Sequence, residues 1–84
     1  MTDLKLKKSD FDFLLKTMEL SKECVISYVP DDNENITFKV EDYSDFQDMM
    51  NFDIINIGMD NQDTVNELGK RMYLIYDIIL DQKP

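Results

Sequence analysis

The sequence predicts an α+β fold: one domain over residues 1–84, with a small antiparallel sheet of two or three strands packed by helices. Three observations carry this. Apolar residues recur at helical spacing near both ends, as Phe11, Leu14, Leu15 and Met18, and as Val65, Leu68, Met72, Ile75 and Ile79. Two runs rich in β-branched and aromatic residues, 24–29 and 36–40, flank a polar segment. A hydrophobic content of 43% with nine aromatics is too rich for a disordered chain, even at a net charge of −9.

Leu4 and Leu6 alternate with lysines, which fits a frayed strand or a simple approach to the first helix. Ser9 reads as an N-cap with Asp12 three residues on, a capping box with a shorter acid, so the first helix is expected from about Asp10 to Leu20 or Ser21. Residues 24–40 then read as a hairpin: in its second strand Ile36, Phe38 and Val40 share one face, Thr37 and Lys39 the other. The tip, PDDNEN, is built of turn residues. Ser44 and Gln47 have capping-box spacing ahead of Phe46, Met49 and Met50, which predicts a short middle helix over 44–50.

Residues 52–59 admit two readings. They form a third strand ending near Gly58, favoured by the β-branched Ile54, Ile55 and Ile57, or they continue the helix, since Phe46, Met50, Ile54 and Ile57 keep helical spacing. The last helix is expected to start where Asp60, Asn61 and Asp63 crowd together, and from Met72 to Leu80 only Asp77 is charged. Gly69 beside the apolar seam costs about 1 kcal/mol of helix propensity, which suggests close packing of a neighbour there.

The charge is segregated. Residues 31–67 hold eleven acids against one base, Lys39; the remainder holds seven acids and eight bases. Such a surface repels nucleic acid and steers basic proteins toward it. Lys5, Lys7 and Lys8 form a basic cluster too small to bind phosphates against the net charge, so direct nucleic-acid binding is not expected.

Catalysis and cofactors are not expected either. There is no histidine, nucleophile motif, phosphate-cradling glycine loop or dinucleotide fingerprint. Asp31, Asn33, Asn35 and Asp42 fall at positions 1, 3, 5 and 12 of a calcium loop, but Ile36 stands where that loop requires glycine, so no metal site is expected. Cys24 is the sole cysteine and reads as a buried structural thiol. A lone thiol, an N-terminus without a signal-like apolar core and no run of about 18–20 apolar residues point to a cytoplasmic protein with no membrane partner.

What remains is the acidic block. Asp31, Asp32 and Glu34 at the hairpin tip, with Glu41, Asp42, Asp45 and Asp48 around the middle helix, are the candidate partner-binding surface, to which Asp53, Asp60 and Asp63 would add. Carboxylates three to four residues apart on a helix lie ~5–6 Å from each other. Phosphates along a nucleic-acid strand are comparably spaced, so such a surface can imitate them. The partner this implies is a basic, nucleic-acid-binding protein. The alternative is a structural or adaptor module, a homodimer formed through Tyr73, Tyr76 and Leu80 of the last helix.

Alanine is absent, while Phe, Tyr, Met, Ile, Asn and Lys fill 37 of 84 positions, a bias that suits an AT-rich genome such as those of low-GC bacteria and their phages. In size and style, with no specific motif, the chain resembles phage or mobile-element accessory proteins. That resemblance implies an inhibitor of a host nucleic-acid-handling protein, for example a CRISPR effector, a restriction or repair enzyme or a transcription factor.

Overall fold

A computed structural model describes residues 1–60 and 64–84. The alternating N-terminus is a full strand, β1 (Thr2–Lys7), with Leu4 and Leu6 buried and the lysines outside. There follow α1 (Lys8–Thr17), α2 (Glu19–Lys22), β2 (Val25–Pro30), β3 (Asn35–Val40), α3 (Tyr43–Ile57), the two-residue strands β4 (Met59–Asp60) and β5 (Thr64–Val65), and α4 (Glu67–Leu80). The main sheet has the order β1-β3-β2 with both pairings antiparallel, so β3 lies in the middle.

Alternation fixes the core face of β3. Ile36, Phe38 and Val40 are buried under the helices, while Thr37 and Lys39 lie on the open face of the sheet. Phe38 ties the layers together: its ring lies 5.2 Å from that of Phe11 on α1 and 5.7 Å from that of Phe46 on α3. Aromatic pairs at such distances contribute about 0.5–1.5 kcal/mol beyond their area burial. Met72, Ile75 and Ile79 of α4 close the core from the other side.

The expected third strand over 52–59 is not there, and β1 takes its place in the sheet. Residues 52–57 continue α3, because burial at Phe46, Met50, Asp53 and Ile54 follows the helical period and outweighs the weak strand preference of isoleucine. The helix stops at Gly58, whose N–H donates to Ile54 O at 2.8 Å. Gly58 is also where α4 arrives: a Cβ on Gly69 would fall on the Gly58 carbonyl, so this contact requires glycine.

Three helix boundaries also differ from expectation. Ser9 does not cap α1; the helix begins at Lys8, whose N–H donates to Glu34 O at 2.8 Å, so the hairpin tip supplies the acceptor. The cap of α3 is Asp42, two residues before the expected Ser44, and it accepts from the Asp45 N–H at 3.2 Å. Asn66 caps α4 through the Gly69 N–H at 2.8 Å, later than Asp60; Asn61 and Asp63 lie outside the described residues.

The first helix is also not continuous to Leu20. It breaks at Met18, and the N–H groups of Leu20 and Ser21 turn to a carboxylate from another helix, that of Asp53 on α3, at 3.0 and 2.8 Å. The Ser21 hydroxyl donates to the same group at 2.6 Å. Asp53, only 1% exposed, thus caps α2 from across the core.

Candidate acidic interface

The pairing of Val25 with Val40 brings two chain junctions side by side: α2 into β2, and β3 into α3. Each junction is acidic. Glu23 ends the first, and Glu41, Asp42 and Asp45 occupy the second. With Cys24 and Ile26 these four carboxylates line one surface groove. Asp48 lies one turn along from Asp45 on the exposed side of α3 and extends the negative surface away from the groove.

The groove's geometry depends on Asp53. By holding the N-terminus of α2 it fixes where Glu23 and Cys24 stand relative to α3. Cys24 records the local field. Burial first, and then the negative charges of Asp45, Asp53 and Glu23, push its thiol above the ordinary range. It is half-buried at the groove, less enclosed than expected, with Sγ 3.9 Å from Leu20 O.

The acids predicted as one surface fall into two groups. At the hairpin tip they serve the turn. Asp31 pairs with Lys5 at 2.6 Å. Asp32 accepts from the N–H groups of Glu34 and Asn35 at 2.8 and 2.9 Å, and the Glu34 N–H first, then the Asn35 side chain, hold its carboxyl below the usual range. Glu34 is exposed beside them. Around the groove, Glu23, Glu41, Asp45 and Asp48 make no ion pair among the described residues, and Asp42 is occupied only as a cap. Asp53, counted with the surface acids, is buried; Asp60 is exposed and accepts from Asn66. Among the described residues no group of three or more potential ligands is disposed to hold a metal ion.

On α4 the three predicted contact residues separate as well. Tyr76 is half-buried, and its hydroxyl accepts from Gln47 and Asn51 of α3 at 3.2 and 3.1 Å. Leu80 is half-buried, Tyr73 exposed. The apolar residues that α4 leaves in solvent also include Leu74 and Ile78, which the heptad seam passed over. Among the described residues no helix is long and apolar enough to cross a membrane.

Sequence reasoning missed Asp53 and the β2 edge. Asp53 stands three residues after Met50 and four before Ile57, inside the apolar seam of α3, and that register is the signal that would have found it. Compared with family models, curated proteins and solved structures, the chain matches none of them.

Proposed function

We propose that this chain acts by binding and not by catalysis, docking its acidic groove and the adjoining face of α3 onto the basic, nucleic-acid-binding surface of another protein and so inhibiting it. The observation that carries this reading is the sorting of the carboxylates. At the tip Asp32 closes the turn and Asp31 pairs with Lys5, whereas Glu23, Glu41, Asp45 and Asp48 gather with like charge and no ion pair among the described residues. Like charges one turn apart cost a few tenths of a kcal/mol per pair, and a basic partner reverses the sign of that term. The AT-rich composition suits a phage or mobile-element source, in which such inhibitors have a use.

The test is capture of defined basic DNA- and RNA-binding proteins on the immobilised chain. Capture at low salt, release at high salt or by duplex DNA, and loss on Glu41→Lys/Asp45→Lys/Asp48→Lys support the reading. Capture indifferent to that charge reversal, or none at all, removes it.

Self-association through α4 is the second reading, favoured by the exposure of Leu74 and Ile78. Sedimentation of the wild type against Leu74→Glu decides it, since a monomer at every concentration leaves that face without a role.

A further inference from the structure

The two edges of the main sheet are treated differently. The outer edge of β1 is closed: the Gln82 carboxamide, just past α4, accepts from the Lys5 N–H and donates to the Lys5 carbonyl, both at 2.7 Å. It occupies the position a further strand would take. Among the described residues no such closure covers β2. Asp31 N–H donates to Asn35 O at 3.0 Å, which fixes the alternation of the ladder. Val29 and Ser27 bond inward to β3, and the N–H and C=O of Tyr28 point away from the sheet.

Ile26 and Val29 leave apolar side chains in solvent along this edge, 50% and 60% exposed, while the Tyr28 ring packs on Phe11 at 4.9 Å on one side and is 54% exposed. Sheet edges are ordinarily protected by lysine, bulges or proline. Here a register shift between Val25 and Ser27 bounds one end and Pro30, which lacks an N–H, bounds the other, but β2 itself carries no lysine. The open stretch is therefore short and centred on Tyr28.

Charge selects the occupant. One end of β2 opens on the groove of Glu23, Glu41, Asp42 and Asp45; the other ends at the negative charges of Asp32 and Glu34, Asp31 there being paired with Lys5. A second copy paired antiparallel through the same edge would set the tip acids of one chain beside the groove acids of the other, like charge on like. An extended segment with a lysine or arginine near each end meets opposite charge at both.

We propose that the β2 edge receives an extended basic segment of the partner protein as an added strand. Main-chain bonds form at Tyr28, small or apolar side chains face Ile26 and Val29, and basic residues about five positions apart reach the two acidic ends, since six strand residues span about 20 Å. This rests on the reading of the acidic surface as a docking site and specifies how the partner is held.

The experiment uses the full chain, isotope-labelled, and two probe peptides of equal charge. One is a decapeptide alternating valine and threonine with lysine; the other has the same charge but two central prolines that prevent a strand. Amide exchange and chemical shifts are followed by NMR. The expected result is exchange at the Tyr28 N–H slowed at least tenfold by the first peptide and unchanged by the second. Shifts at Glu41, Asp42 and Asp45 with both peptides, without protection of Tyr28, overturn the added strand and leave the acidic docking reading standing. No response to either peptide overturns both.

Discussion

Replacing Asp53 with alanine tests whether a carboxylate in the core organises the acidic groove. Three donors converge on it, the N–H groups of Leu20 and Ser21 and the Ser21 hydroxyl. A hydrogen bond to a charged group contributes about 1.5–3 kcal/mol, and stranding a buried donor costs about 1–3 kcal/mol. Leu20 is exposed enough for water to replace its acceptor, whereas Ser21 is fully buried. Counting only the two Ser21 donors gives a loss of about 3–6 kcal/mol. Removing one negative charge from a chain of net −9 returns only a few tenths.

Against a stability of about 4–13 kcal/mol for a chain of this length, that loss is large. The midpoint of thermal unfolding, followed by circular dichroism, falls by more than about 12 °C. Asp53→Asn keeps one acceptor and can donate to Ser21 Oγ, so it costs about 1–2 kcal/mol. A loss below about 1 kcal/mol for Asp53→Ala would refute the argument that this carboxylate holds α2 in place.

Further outcomes follow from the same contacts. Gly69→Ala destabilises by about 2 kcal/mol, because its Cβ meets the Gly58 carbonyl, outweighing a gain of about 1 kcal/mol in helix propensity; urea unfolding at least as resistant as the parent's contradicts this. Cys24 alkylates with a pH midpoint above that of a small free thiol, and Asp45→Asn lowers the midpoint, as rates of iodoacetamide labelling will show. Asp32 has a folded pKa below its unfolded one, so its contribution to the hairpin is present above the unfolded value and is lost as pH falls through the folded one; an NMR titration finds its carboxyl protonating at lower pH than in a denatured-state peptide.

Much of the architecture was legible because it rests on periodicity. The alternation of Ile36, Phe38 and Val40 and the seam of Met72, Ile75 and Ile79 were read correctly, since each matches one template only. Residues 52–57 match two templates, and β-branching favoured the wrong one; the pull of the core on Ile54 is a tertiary effect that local preference does not contain. Lysines disguised β1 because the open sheet face welcomes them, although Leu4 and Leu6 already marked its buried side.

The site was legible as charge and illegible as use. Composition located the acidic block but gave no sign that Asp31 pairs with Lys5, that Asp32 closes the tip or that Asp53 turns inward, since all three depend on residues far away in sequence or on loop geometry. The open edge of β2 is equally a property of topology: it follows from β1 pairing with β3 on the other side and from Gln82 closing the far edge.

The central claim is that Glu41, Asp45 and Asp48 are kept for a partner and contribute almost nothing net to folding. The direct measurement is stability and capture on one variant, Glu41→Gln/Asp45→Asn/Asp48→Asn. Lost repulsion and the lost helix-terminal charge of Asp45 nearly offset each other, so unfolding free energy should stay within about 0.5 kcal/mol of the parent while binding to basic nucleic-acid-binding proteins disappears. Unchanged binding, or a variant that unfolds markedly more easily, would contradict the account.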